Sequence, residues 1–331
     1  MKNTGIEWMG EIPNEWEVKR FNYVVQLRQE KGQFQSNDKF LGLENIESAS
    51  GKFIETDTHY TDMQADVYCK GDVLFSKLRP YLAKVFFAND NGYCTGEFLV
   101  FKNFCGERKY LFYLLLSSGF IDIVNSSTYG TKMPRANWDF IRNLYIPFPP
   151  LPAQTAIANF LDYKCKKIDA LIENQEKVIA ELAAYKKSLI QKVTTKGIVN
   201  SDKRLVNSGV EWIGGIPEGW KVVQVKRLFE IGRGRVIAVT EVEEDGFPVY
   251  SSQTLNNGCM GYLKTYDFDC SQLTWTTDGA NAGTVFLREG KHNCTNVCGT
   301  LKPLNNDIDL NFICYALYHT AQYNKREDIN R

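Results

Sequence analysis

Neither sign of charge is in excess in this chain: 39 basic and 39 acidic side chains cancel over 331 residues. Residues 1–150 carry 17 basic and 18 acidic groups, 151–200 carry 8 and 5, and 201–331 carry 14 and 16. The broad basic footprint of a protein that grips nucleic acid unaided is therefore absent, and any DNA contact must come from local patches. Long apolar runs are missing too. The run at 111–116 is far short of the ~20 needed to cross a bilayer, and the opening Met1-Lys2-Asn3-Thr4-Gly5-Ile6-Glu7-Trp8 has no secretory apolar core. A soluble, cytoplasmic chain with no membrane partner is the expectation. The nine cysteines, at 69, 94, 105, 165, 259, 270, 294, 298 and 314, form no C-x-x-C pair, which argues against zinc-ribbon and thioredoxin-type sites. His292, Cys294 and Cys298 lie close together but lack a second ligand pair, and read as ordinary strand and loop residues. Also absent are a phosphate-binding G-x-x-x-x-G-K-[ST] loop, G-x-G-x-x-G, G-x-S-x-G, H-E-x-x-H and any Asn/Asp-Pro-Pro-Tyr/Phe element. The three histidines, His59, His292 and His319, have no nucleophile beside them. The expectation is a chain that binds and positions, with no catalytic residue, cofactor or metal.

What is present begins with one uninterrupted stretch. Residues 146–152 read Ile-Pro-Phe-Pro-Pro-Leu-Pro, and from Ala153 to Lys196 there is neither glycine nor proline. A proline-rich entry followed by helix formers predicts a rigid kink feeding one long helix. Its apolar side chains fall on two rows spaced by seven: Leu161, Ile168, Gln175, Leu182 and Leu189, and Ile157, Lys164, Leu171, Val178 and Tyr185. This is a coiled-coil seam, with Lys164 and Gln175 as polar interruptions that fix register. Ile157, Leu161, Ile168, Leu171, Val178, Leu182 and Leu189 are the expected helix-pairing residues. At 1.5 Å per residue the helix spans about 60 Å, a spacer rather than a bundle helix.

An internal repeat flanks this spacer. Residues 4–16, Thr-Gly-Ile-Glu-Trp-Met-Gly-Glu-Ile-Pro-Asn-Glu-Trp, recur 204 positions later as Ser-Gly-Val-Glu-Trp-Ile-Gly-Gly-Ile-Pro-Glu-Gly-Trp at 208–220. A period this long means duplicated domains, not a solenoid. After each copy come short apolar-aromatic runs punctuated by Gly, Asn and Asp, such as 72–75, 84–87 and 97–101 in the first half and 248–250, 274–276 and 284–287 in the second. These read as bent strands and hairpins, followed by a helix at 110–125 and another at 310–323. The expected fold is α+β: a β-rich domain at 1–150, the spacer helix at 151–200, and a second β-rich domain at 201–331. The second half stops near the level of Thr128, so a second proline-rich entry and a second long helix are expected to be missing.

Candidate contact residues cluster in a few segments. If 71–84 is a strand, alternation places Lys77, Arg79 and Tyr81 on one face, with Lys84 beyond. Arg can present a fork to guanine, and Lys and Tyr can contact phosphates. A solvated strand face turning at Pro80 explains the same residues equally well. Tyr129, Lys132 and Arg135 form a second cluster that a simple loop would also account for. In the second half, Arg233 and Arg235 lie in a Gly-Arg-Gly-Arg run, Ser252 and Gln253 supply hydroxyl and amide groups, and Thr277 and Asn281 lie in the small-residue loop 275–284. The glycines of that loop would admit close backbone approach, though most such loops are plain turns.

Taken together, these motifs resemble the DNA specificity subunits of type I restriction-modification systems. The resemblance is carried by Gly5-Ile6-Glu7-Trp8-Met9-Gly10-Glu11-Ile12-Pro13 and its copy from Gly209, by residues 71–81, by residues 146–154 followed by Lys167-Ile168-Asp169-Ala170-Leu171-Ile172, and by Ser188-Leu189-Ile190-Gln191-Lys192 with Thr195-Lys196-Gly197. It covers nearly the whole chain. One departure is Pro152-Ala153-Gln154 where the family usually has Glu-Gln. The resemblance implies two target-recognition domains, each reading half of a bipartite double-stranded DNA sequence. It also implies antiparallel helices that set the spacing and dock two methylation subunits, with restriction subunits joining through the complex. The larger departure is the second helix, so the chain is expected to be truncated, with a second copy or fragment of a specificity subunit supplying the partner for the seam. A coiled-coil scaffold that has lost DNA reading is the competing expectation.

Overall fold

The computed structural model describes residues 1–128, 133–198, 204–279 and 281–324, and the chain divides into two compact units, Met1–Glu173 and Asn174–Arg331. In the first unit, Val73–Ser76 lies between Phe98–Lys102 and Val85–Phe87, with Gln26–Leu27 at the far edge. A second four-stranded sheet runs Lys31–Phe34, Met63–Tyr68, Gly92–Cys94, Phe40–Leu41, and its last pair is parallel. The strand Val73–Ser76 is buried on both faces, as its run of Val, Leu and Phe predicts. One face joins the main core around Phe21, Phe75, Phe101, Leu111 and Phe120, and the other a smaller core of Leu41, Leu74, Ala88, Cys94, Phe98 and Val100.

The helix expected at 110–125 is two helices, Arg108–Leu116 and Ser118–Ser126. Between them Ser117 is extended (φ −64°, ψ 140°), and its hydroxyl donates to the Leu114 carbonyl at 2.7 Å. Ser117-Ser118-Gly119 are weak helix formers, and serine side chains compete for the backbone. The break also lets the repeat motif dock. A Cβ on Gly119 would come within 3.1 Å of the Trp8 ring, and Trp8 meets Phe120 edge-on at 6.4 Å. In the second copy Trp212 packs on His319 at 5.9 Å. The motif glycines have a structural reason as well: Gly5, Gly10, Gly209 and Gly214 all sit at φ between 60° and 74°, where a side chain is disfavoured.

The long helix is continuous from Leu151 to Lys196, 46 residues or about 69 Å. Its entry strand Tyr145–Phe148 pairs with Glu17–Arg20. Buried Gln154 then locks the first turn: its Oε1 accepts from the Glu107 amide at 2.9 Å, and its Nε2 donates to the Pro149 carbonyl at 2.7 Å. Two turns on, Asp162 accepts from the Tyr113 hydroxyl at 2.6 Å and from Lys109 at 3.1 Å. Burial opposes charge on Asp162, but these two donors outweigh it and hold the carboxyl below its ordinary range. Lys52 reaches Asp169 at 2.7 Å. Asp162 and Asp169 are seven apart, two turns along one face of the helix, and tie that face to the first unit by polar contacts.

The second unit contains the sheets Phe229–Arg233, Cys298–Pro303, Gln272–Thr276, Val285–Arg288 and Cys259–Leu263, Phe247–Tyr250, Lys291–Cys294, Phe268–Asp269. Helix Leu310–Asn324 covers a core of Phe229, Leu273, Val285 and Leu301. Among the described residues, no helix is long and apolar enough to cross a membrane.

Gln154→Ala would leave the buried Pro149 carbonyl and the half-buried Glu107 amide without their partner, at about 1–3 kcal/mol for the buried group. Urea unfolding of the full chain is expected to show the transition of the first unit shifted down by that order, and an unchanged midpoint would remove Gln154 from the anchor.

Candidate nucleic-acid interface

The two units are built on one ladder. Val73, Leu74, Phe75 and Ser76 pair with Phe101, Val100, Leu99 and Phe98, while Leu273, Thr274, Trp275 and Thr276 pair with Leu301, Thr300, Gly299 and Cys298. Every pair is displaced by 200 residues. The same displacement relates Leu74–Phe86 to Thr274–Phe286 and Tyr68–Gly92 to Phe268–His292. It also holds in the loops. The Lys77 amide donates to the Glu97 carbonyl at 2.8 Å and the Thr277 amide to the Val297 carbonyl at 3.0 Å. The Thr95 amide bonds the Leu41 carbonyl at 3.1 Å and the Thr295 amide the Tyr250 carbonyl at 2.9 Å, these acceptors lying 209 apart because the segments that follow them differ in length. In each unit three loops therefore meet at one end of the paired sheets: those after Leu41 or Tyr250, after Ser76 or Thr276, and after Cys94 or Cys294.

In the first unit the expected strand through 71–84 ends at Ser76. Pro80 starts a short 3₁₀ turn, Pro80–Leu82, and Arg79 before it is left-handed at φ 49°. Lys77, Arg79 and Tyr81 are thus not one alternating strand face, because the ladder ends at Ser76 and the backbone turns left-handed at Arg79 before Pro80. Arg79 donates its amide to the Pro134 carbonyl at 2.8 Å, and its buried Nε has no hydrogen-bond partner. Tyr81 is 51% exposed. Arg135 bridges to this end from the other side: Leu78 and Arg135 form an isolated antiparallel bridge, and its guanidinium pairs with Glu97 at 2.6 Å. Lys84 faces inward, its ammonium donating to the Leu43 carbonyl at 2.7 Å, which makes it a brace for the neighbouring loop. Tyr129 and Lys132 lie outside the described residues.

The second unit gathers its candidates more closely. The Asn281 amide donates to the Ser252 carbonyl at 3.1 Å, joining two of the loops. Thr277 donates its hydroxyl to the Val297 carbonyl at 3.1 Å and also bonds Asp278, which stands 3.9 Å from the Arg233 guanidinium. Arg235 is held by Asp267 at 3.0 Å. Gln253 turns its amide back onto the Cys259 carbonyl, so it shapes its own loop. Arg233, Ser252, Thr277 and Asn281 share one rim.

Two features of this end were not singled out from sequence. The dipeptide Cys94-Thr95 recurs as Cys294-Thr295, again displaced by 200, and both cysteines are fully buried. Together with Val85-Phe86, which recurs as Val285-Phe286, it is a legible sign that the ladders are in phase. The other is Arg288, a buried guanidinium in the second unit. His292 is buried beside it; its Nδ1 bonds the Gly290 carbonyl at 2.8 Å and its Nε2 meets the Gln272 amide at 2.9 Å. Among the described residues, no group of three or more His, Cys, Asp or Glu is placed to hold a metal ion.

The helical seam divides in two. Ile157 packs against the core of the first unit, so it anchors the helix rather than facing a partner, and Leu161 is half-buried. Ile168, Leu171, Leu182 and Leu189 are 45–61% exposed, and Val178 is 37% exposed. They form an open apolar stripe.

Two duplicated β-rich units carried on a long helix are an arrangement shared with solved specificity subunits. A chain from a structural study of complex assembly and conformational transition of the type I R-M system aligns over 96% of this chain and 82% of its own, with TM-score 0.65 and 17% identity. The HsdS subunit from Thermoanaerobacter tengcongensis aligns over 98% and 83%, with TM-score 0.53 and 17% identity. The family model described as type I restriction modification DNA specificity domain matches residues 13–183 and 217–330, and the chain belongs to that family. A type I specificity subunit N-terminus of Mycoplasma pneumoniae is 48% identical over 99 residues, 29% of this chain and 53% of that protein. The chain spans about half the length of the curated relatives it matches.

Burial pushes the thiols of Cys94 and Cys294 up to about 12, whereas Cys105 and Cys165 are exposed. Iodoacetamide at pH 7.5 is expected to label Cys105 and Cys165 in the native chain and to spare Cys94 and Cys294, because the thiolate is the reactive form. Peptide mass spectrometry reads this directly; prompt labelling of Cys294 would contradict the buried ladder.

Proposed function

We propose that this chain is the non-catalytic DNA-recognition subunit of a type I restriction-modification complex. In this reading two recognition domains, at 1–150 and 201–331, each read half of a bipartite duplex, and the spacer segment 151–200 with its long helix sets the distance between the half-sites. The observation that carries the reading is the in-phase duplication. One ladder occurs twice, and the loops at the same end of each copy differ completely in chemistry. A frame that is kept while its rim varies is what two readers of different sequences require.

Lys77, Arg79, Tyr81 and Arg135 are the proposed contact residues of the first unit, and Arg233, Ser252, Thr277 and Asn281 those of the second. Tyr129, Lys132 and Arg235 remain candidates on the sequence argument. Direct readout needs such donors and acceptors at base edges. A neutral chain has little phosphate attraction of its own, so the complex's methylation subunits are proposed to supply most of the affinity, with restriction subunits recruited through them.

The full chain co-expressed with its methylation subunits on a plasmid library of random inserts is expected to leave methyl groups in one bipartite motif. Replacing Thr277 and Asn281 by alanine should relax the second half and leave the first intact. Methylation without a bipartite motif would overturn the reading.

The open stripe favours one addition: a helix from a second copy of this chain pairs along Ile168, Leu171, Val178, Leu182 and Leu189. An apolar stripe of this length is an association surface. Light scattering should give a dimer that Leu171→Glu with Leu182→Glu converts to monomer. A monomeric wild-type chain at tens of micromolar (on the order of protein interface affinities) would sink the pairing.

A further inference from the structure

Arg288 is 1% exposed and lies between the two sheets of the second unit. Its guanidinium stacks on Tyr250, 3.5 Å from the ring centroid, and on Phe286 at 4.4 Å. Its Nε donates to the Thr274 hydroxyl at 3.1 Å and its Nη1 to the Asn257 carbonyl at 2.7 Å, while Nη2 is buried without a hydrogen-bond partner. Among the described residues no carboxylate offsets it, and burial pulls its pKa below the ordinary value. A buried cation without a counter-ion is costly, and two aromatic faces offset this only in part.

The fold does not demand a charge there. At the matching place in the first unit, 200 residues earlier, stands Ala88, fully buried, with its amide on the Asp72 carbonyl at 2.9 Å. The surrounding core positions differ in the same sense. Leu41, Leu74, Phe98 and Val100 in the first unit correspond to Tyr250, Thr274, Cys298 and Thr300 in the second. An apolar filling would thus suit this frame.

What Arg288 touches supplies a reason for it. Asn256 and Asn257 are left-handed at φ 50° and 54°, and Gly258 follows at 81°. Three successive residues in that region are disfavoured and need the surroundings to hold them. The turn closes the loop 251–258: the Ser251 amide bonds the Gly258 carbonyl at 2.9 Å, and the loop's Ser252 carbonyl receives Asn281 at 3.1 Å. Gly258 sits at a φ that favours glycine, and its missing side chain leaves room for Nη2, which a Cβ would approach to 2.8 Å. The first unit braces its own corresponding loop in the same way, with Lys84 donating to the Leu43 carbonyl at 2.7 Å. In both units a cation from the neighbouring hairpin grips a carbonyl of the loop after the parallel strand.

We propose that Arg288 is a positioning residue that holds the 251–258 loop of the second unit in the geometry that selects bases in the second half-site. This rests on the DNA-recognition reading above. The charge is buried to fix a strained backbone, and the sequence preference of one half-site depends on it without Arg288 reaching DNA.

The test compares wild type, Arg288→Met and Arg288→Lys as full chains assembled with the methylation subunits. Hydrogen exchange reads the loop, and selection from randomised duplexes reads each half-site. Arg288→Met is expected to raise amide exchange across 252–259 at least tenfold and to cut discrimination at the second half-site at least tenfold, with the first half-site unchanged. Arg288→Lys keeps the charge but cannot span Thr274 and Asn257 together, so it should restore only part of either effect. Should Arg288→Met fail to fold, Thr274→Val removes the Nε acceptor alone and is expected to loosen the same loop. Unchanged exchange in the loop, unchanged selectivity at the second half-site, or full rescue by lysine would overturn the proposal. A wild-type complex that selects no second half-site would overturn the recognition reading instead, and the exchange measurement would still decide whether Arg288 holds the loop.

Discussion

The antiparallel ladder between Val73–Ser76 and Phe98–Lys102, with its copy 200 residues on, is the constraint on which the rest depends. A strand slipped by one residue would send its whole core set to the opposite face, so the central pairs tolerate replacement of side chains but not of register. Leu74 has become Thr274 and Phe75 has become Trp275, yet their partners keep their places. Length changes are pushed out to the loops. From Leu41 to Tyr68 the first unit uses 27 steps where the second, from Tyr250 to Phe268, uses 18, and the ladder is in phase again on the far side.

That division of labour explains why the polar interior of the second unit can differ so much from the apolar one of the first. With backbone pairing already satisfied on both sides, the space between the sheets has only to be filled. Leucine, valine and phenylalanine fill it in one unit; an arginine stacked between rings and bonded to threonine fills it in the other. The frame sets the backbone, and the filling can then be recruited to shape a neighbouring loop.

The long helix and the Trp8/Trp212 repeat were legible because each is a local signal: a seven-residue spacing, and tryptophans and glycines forced by a tight turn. The β-rich character was legible from short apolar-aromatic runs, but the phase of the ladders was not, since paired strands share few side chains and only the dipeptides Val85-Phe86 and Cys94-Thr95 recur. The strand expected through Lys77, Arg79 and Tyr81 ends already at Ser76, and the helix expected at 110–125 breaks at Ser117, where the packing of Trp8 on Gly119 adds a tertiary reason. Lys84 and Gln253 read as contact residues because their groups suit DNA. Whether an ammonium or an amide is captured by a nearby carbonyl depends on loop geometry that no spacing rule conveys. Arg288 escaped notice for the same reason, being one arginine among many until its burial is known.

The helix also has a mechanical side. A rod of about 69 Å magnifies any error at its base, and a tilt of roughly 5° there would carry its far end through about 6 Å, nearly two nucleotide steps along a strand. The contacts of Gln154, Asp162 and Asp169 lie within its first twenty residues, where angular play is most damaging. Three polar anchors, the buried Gln154 and the more exposed Asp162 and Asp169, act as a protractor: their separation along the axis sets the angle far more tightly than any one of them could.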